Sequence, residues 1–215
     1  MKHFLSEDDQ QKLDHRIKDA ERRTGAQFVL AVIEKSDAYP EVPWRAFALG
    51  VSIAALVFFV KGVIATAWPS SFMMLMTVAL IIGSGALMAI FSIFFKPLSR
   101  VFLTGDRIET EVKQYAESLF LERELFATKS RCGMLILISL FERQVVMLPD
   151  SGLHDRLNND VLTKSIQQTT RHLKTGSVAE ALDSGLQYII EALGAAPSDE
   201  VNDELFNEII QQEGE

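Results

Sequence analysis

A run of 24 residues without a single charge, Phe72 to Phe95 (FMMLMTVALIIGSGALMAIFSIFF), constrains this chain more than any other feature. About 20 apolar residues in a helix cross the hydrocarbon layer of a bilayer. An earlier apolar run, Ala46 to Val60, is interrupted by Lys61 and continued by GVIATAW. It reaches the same length if the Lys61 side chain extends its ammonium group to the headgroups. Between the two lies WPSS, a short polar turn with a tryptophan suited to the membrane interface. The pattern predicts a hairpin of two transmembrane helices, about 46–66 and 72–95.

The segments around the hairpin read differently. The amino-terminal stretch MKHFLSEDDQQKLDHRIKDAERR is charged throughout and has no apolar core, so no secretory signal peptide is expected. Arg45 precedes the first span, and Lys96, Arg100 and Arg107 follow the second, while the turn between them holds no Lys or Arg. Positive residues stay on the cytoplasmic side, which predicts a multi-pass inner (plasma) membrane protein with its soluble domain and both termini in the cytoplasm. Lys61 is the one charge that points the other way. The single cysteine, Cys132, excludes an internal disulfide and fits a reducing compartment. A net charge of −8, with no basic stripe interleaved with aromatics, argues against a nucleic-acid partner.

Ser6 with Asp9 three residues on is a capping signal, and Leu13, Ile17 and Ala20 recur at helical spacing, predicting a helix over about 7–23 that stops at Thr24-Gly25. QFVLAVIE, 27–34, has the short, apolar, β-branched composition of a buried strand. After the hairpin, Lys96-Pro97 ends the second span. Ile108, Val112, Tyr115, Ala116, Leu119 and Phe120 predict an amphipathic helix to about 126. GMLILISL, 133–140, reads as a central strand, and Gln144 to Leu148 as its hairpin partner across the Phe141–Arg143 turn. Two helices follow, about 160–173 and one opened by the capping box Ser177-x-x-Glu180. The tail from Asp199 holds no Lys or Arg and reads as a solvated, partly disordered end. The expected segmentation is therefore 1–43 and 97–194 as two parts of one soluble domain, 44–96 as an inserted membrane hairpin, and 195–215 as an acidic tail.

No strong catalytic constellation is visible. Ile138 stands six positions after Cys132, where a phosphate-cradling thiol loop would need Arg. The four histidines, His3, His15, His154 and His172, have no metal-ligand spacing. The most site-like stretch is PDSGLHDRLNND, in which Asp150, His154, Asp155 and Asp160 follow the last strand. Oxygen ligands of this kind suit a divalent cation, the one cofactor the residues bring into question, and turn and helix-cap chemistry accounts for the same residues. Glu142-Arg143 reads as a polar hairpin turn. In the spans, Gly50-x-x-x-Ala54, Ala79-x-x-x-Gly83 and Gly85-x-x-x-Ala89 set small residues at close-packing spacing, for the two helices to meet each other or a partner's helix.

The order of elements, together with ERRTGAQFVLAVIE, VKQYAESLF, GMLILISLFERQVVMLPDSGL and GSVAEALDSGLQYIIEAL, resembles the TPM domain family over residues 5–194. The resemblance is greatest to its bacterial membrane-bound branch. The most specific piece is a strand, an acidic residue followed by Arg at the turn, and a second strand, here Leu135 to Leu140, Glu142-Arg143 and Val145 to Leu148. Where many members have a Gly-Tyr-Gly-like turn, this chain has PDSG. The resemblance implies an α/β fold, a small α/β/α sandwich, here with the inserted two-helix hairpin. It also implies a part in maintaining or modulating membrane complexes. The expected partners are the bilayer and a membrane protein, with a homo-oligomer as a further class. The alternative it implies is a low-activity acid phosphatase, and the reading of the PDSGLHDRLNND loop puts Asp150 and Asp155 near its site.

Overall fold

Ser6 opens the first helix, α1 (Glu7–Thr24), as its spacing predicts. Its hydroxyl accepts from the Asp9 amide at 3.2 Å and donates to the Asp9 carboxylate at 2.7 Å. Gly25 ends it in the left-handed conformation, φ 69°, its amide donating to the Glu21 carbonyl. The computed structural model describes residues 4–64, 69–175, 177–195 and 209–214. The chain divides into two compact units, Met1–Asp37 with Glu109–Glu215, and Ala38–Ile108.

The first unit is a four-stranded mixed sheet with helices on both faces. Its strands are β1 (Gln27–Lys35), β2 (Gly133–Ser139), β3 (Gln144–Pro149) and β4 (Ile209–Gly214), in the order β3-β2-β1-β4. β1 runs parallel to β2 and to β4, and β3 is antiparallel to β2. Alternation along the strands sorts their side chains. Phe28, Leu30, Val32, Met134, Ile136, Ile138, Val145 and Met147 join a core with Leu13 and Ile17 of α1 and with Leu182, Leu186 and Ile189 of the last helix, α7 (Val178–Leu193). The helix before it, α6 (Asn159–Thr175), packs Ile166 against the same core. Val29, Ala31, Ile33, Leu135 and Leu137 point the other way and are buried as well. Gln212 lies in register with Ile33, so it shares that second face, and its Oε1 accepts from the Tyr115 hydroxyl at 2.8 Å. That bond sets α5 (Gly105–Glu122), with its buried Val112, Ala116 and Leu119, over the second face. The result is the α/β/α arrangement.

Two expectations change. The amphipathic helix stops at Glu122 rather than near 126, because Glu124 turns left-handed, φ 51°, and a short 3-10 turn, Leu125–Ala127, sends Leu125 into the interior. A Cβ on Gly133 would lie 2.3 Å from the Leu125 carbonyl oxygen, so this turn requires glycine at the start of β2. The solvated tail is also corrected: residues 209–214 are an edge strand. Ile210 is buried, and the Gln211 side chain accepts from the amides of Phe4 and Leu5 at 2.8 and 3.2 Å. Residues 196–208 and 215 of that tail lie outside the described residues, as do 65–68 in the turn between the spans.

The second unit holds two helices of 24 residues each, α2 (Glu41–Ile64) and α3 (Ser71–Phe94), packed as a hairpin. Both are long and apolar enough to cross a membrane. At 1.5 Å per residue each extends about 36 Å, against a hydrocarbon core of about 30 Å. A six-residue helix, α4 (Lys96–Val101), follows α3 where the sequence predicts only a stop.

Candidate functional site

The loop after β3 is organised around one of its four predicted site residues. Asp150 is buried; its Oδ1 accepts from the Ser151 amide at 2.7 Å and from Arg131 Nη2 at 3.0 Å. Its Oδ2 lies 2.9 Å from Arg131 Nε, an ion-pair distance, but off the line of that N–H, so it accepts no hydrogen bond. Arg131 is half exposed and lies over the Phe126 ring, 5.9 Å from its centroid. Gly152 allows this closeness: its amide donates to the Arg131 carbonyl at 2.8 Å, and a Cβ there would be 2.2 Å from the Ser130 carbonyl oxygen. Through Asp150 and Gly152 the PDSG turn thus fastens β3 to the segment that leads into β2. His154, Asp155 and Asp160 are exposed. Among the described residues no three His, Cys, Asp or Glu side chains are grouped to hold a metal ion.

Two further residues complete this end of the sheet. Arg156, which the sequence does not single out, donates to the Thr24 carbonyl at 3.0 Å and to the Leu193 carbonyl at 2.8 Å. It therefore caps the carboxyl ends of α1 and α7 together, where a cation is favoured by both helix dipoles. Cys132 is half-buried, with its amide donating to Thr128 Oγ1 at 3.0 Å. Burial pushes its thiol above the ordinary cysteine range; the Arg156 charge opposes the rise and the Asp150 charge adds to it.

At the opposite end, where the parallel strands finish, Glu142 is the organising group. It is buried, and its Oε1 accepts from the amide and hydroxyl of Ser36 at 2.9 and 2.7 Å. Its Oε2 accepts from the Ser139 hydroxyl. One carboxylate thereby joins the ends of β1 and β2 to the hairpin turn, whereas the sequence assigns it to a polar turn. Its neighbour Arg143 is exposed and left-handed, φ 55°. Beside Ser36 opens a cavity of about 370 Å³ lined by Glu111, Gln114, Tyr115, Ser118, Glu122 and Gly214, among others. Carboxyl ends of parallel strands are where α/β folds most often bind ligands, and the acidic lining favours a cationic or hydrogen-bond-donating one. Glu111, Gln114, Ser118 and Glu122 are one face of α5, a periodicity visible in the sequence once the apolar face is assigned.

The small residues of the spans separate into two groups. Gly50 and Gly85 meet: a Cβ on Gly50 would lie 3.0 Å from the Gly85 Cα, and one on Gly85 would lie 2.6 Å from a Val51 methyl carbon. The Ser84 hydroxyl reaches across to the Gly50 carbonyl at 3.2 Å. Ala54 and Ala89 are partly buried. Gly83 is not in this seam, since a Cβ there meets nothing within 4 Å, and Ala79 is exposed. One helical face can approach the partner helix, and Gly83 lies two residues, or about 200°, from Gly85.

Comparison with known proteins gives two findings. Residues 99–192 match the family model described as the TPM domain. The whole fold is similar to the NMR structure of the BA42 protein from the psychrophilic bacterium Bizionia argentinensis, with a TM-score of 0.56 and 15% identity, covering 98% of this chain and 97% of that one. No curated protein matches the sequence. The family match is narrower than the resemblance read over 5–194: α1 and β1 lie outside it, although β1 is a central strand of the same sheet.

Proposed function

We propose, from the premise that residues 99–192 are a TPM domain, that this chain is a membrane-anchored binding protein. In this reading α2 and α3 cross the inner membrane and the sheet domain works in the cytoplasm, with both termini there. It acts as an accessory or quality-control factor for membrane proteins or the cell envelope. The observation that carries the reading is the surface of the second unit. Trp44, Leu56, Phe59, Val63, Ile64, Phe72, Leu75 and Phe94 are all more than half exposed along two helices of 24 residues. An apolar surface of this extent is not stable in water.

The decisive experiment is crosslinking in intact cells, followed by affinity purification of the tagged chain and mass spectrometry of what accompanies it. A stoichiometric membrane-protein partner is the expected result; recovery of this chain alone would overturn the accessory role. Reporters fused after residue 195 test the orientation. Activity there of a reporter that works only in the periplasm would overturn the cytoplasmic placement.

A second reading, a low-activity acid phosphatase, is supported by the family model's own name, which joins TPM to phosphatase. Its test is hydrolysis of an aromatic phosphate monoester by the purified full chain. Asp150→Asn and Glu142→Gln distinguish the two ends of the sheet, because each keeps the size of the side chain. Hydrolysis unchanged by both substitutions would exclude both ends as its site.

A further inference from the structure

The end of the hairpin from which α2 starts and at which α3 finishes carries more than an anchor requires. α3 stops at Phe94 because Phe95 is extended, φ −105° and ψ 92°, and α4 restarts at Lys96. Ser99 clamps the bend, its hydroxyl donating to the Ser92 carbonyl and, at 3.3 Å, to the Phe95 carbonyl. Arg45 of α2 donates to the Phe102 carbonyl at 2.6 Å, and Arg107 pairs with Glu41 at 3.5 Å. These contacts gather the start of α2 and the segment 95–107 at one end of the hairpin.

The surface there is apolar and cationic together. Phe94 and Val101 are each 77% exposed and Trp44 is 73% exposed. Lys96, two residues after Phe94, is exposed, and Arg100 is partly so. The second unit holds Arg45, Lys61, Lys96, Arg100 and Arg107 against Glu41 and Asp106, in a chain whose net charge is −8. All but Lys61 of those cations are at this end. Water does not favour a bare valine on a short helix or a bare phenylalanine at the end of α3, and the hydrocarbon core does not favour Lys or Arg. The headgroup region accommodates both: aromatic and aliphatic groups enter its inner edge, and ammonium and guanidinium groups meet lipid phosphates.

We propose that α4 lies in the membrane interface and that this rim binds anionic phospholipid headgroups, with Lys96 and Arg100 supplying charge and Trp44, Phe94 and Val101 the apolar insertion. The proposal rests on α2 and α3 being a membrane hairpin. It adds that the surrounding lipid is selected by charge, each basic residue near the surface favouring anionic lipid by about 1 kcal/mol, or about five-fold.

The test uses the full chain carrying Trp68→Phe, which leaves Trp44 as the one tryptophan. It is reconstituted in phosphatidylcholine bilayers containing phosphatidylglycerol, with bromine on the acyl chains of one lipid or the other. Quenching of Trp44 by brominated phosphatidylglycerol is expected to exceed its mole fraction by about two-fold or more. Lys96→Gln with Arg100→Gln is expected to return it to the mole fraction, and Lys96→Arg with Arg100→Lys to keep the enrichment. Quenching that follows mole fraction in the parent, or enrichment that survives the double Gln change, overturns the proposal. Absence of quenching by either lipid would instead refute the membrane hairpin, and the rim with it.

Discussion

Gly50 and Gly85 carry the contact between the two apolar helices, and nothing in their immediate sequence separates them from Gly83. The difference is rotational: Gly85 is turned toward α2 and Gly83 away from it. Gly85→Leu is therefore expected to lower the melting temperature of the purified full chain by about 3 °C or more through overpacking, while Gly83→Leu leaves it unchanged. Equal effects would place the seam elsewhere. Cys132 gives a pH prediction. The thiolate is the reactive form, and a pKa raised mainly by burial means less thiolate at neutral pH than in the unfolded chain. Alkylation of the native protein should be slower than that of the unfolded chain at pH 8, with its midpoint displaced upward. The folded state holds the proton more tightly, so this group's contribution to stability falls as pH rises past the unfolded cysteine value. A native midpoint at or below that value would contradict the burial. Glu142 shows the limit of reading at this scale. It is visible as the acidic residue of the turn, but its burial depends on Ser36, 106 positions away.

Among the elements, α1, the two apolar helices, β1, β2, β3, α6 and α7 were legible because each has a strong period or apolar run. The capping box of Ser177 and Glu180 forms as its spacing predicts. β4 was not legible. IIQQEG has two apolar residues and no alternation long enough to indicate a face, so only the open edge of β1 makes it a strand. Parallel bonding to β1, the grip of Gln211 on Phe4 and Leu5, and the Tyr115 bond to Gln212 recruit it. A chain ending at Glu208 is expected to expose β1 as an edge strand. It should melt several degrees lower and self-associate on size exclusion in detergent. A truncated chain that stays monodisperse with unchanged melting would show that β4 contributes little.

The whole molecule is set by where its two units break. The sheet unit draws on both ends of the sequence, Met1–Asp37 and Glu109–Glu215, and the apolar unit is the continuous stretch between them. The sheet unit has a buried core drawn from four strands and at least three helices, so it contains the interactions it needs to fold. Replacing Ala38–Ile108 by a flexible Gly/Ser linker is expected to give a water-soluble domain that unfolds cooperatively. It should retain the slow alkylation of Cys132. An aggregated or uncooperative product would show that the sheet depends on the apolar unit.

The sequence by itself determined the two apolar helices, the α/β character, and the strand–turn–strand that carries the TPM resemblance. All of these are written in local periodicity and in the distribution of charge. Only the tertiary structure decided which glycines touch, that the acidic tail closes the sheet, and that Asp150 and Glu142 hold opposite ends of it. Each of those depends on partners far along the chain, and a carboxylate or an amide-rich segment acquires a buried role only when folding brings its donors or its neighbouring strand to it.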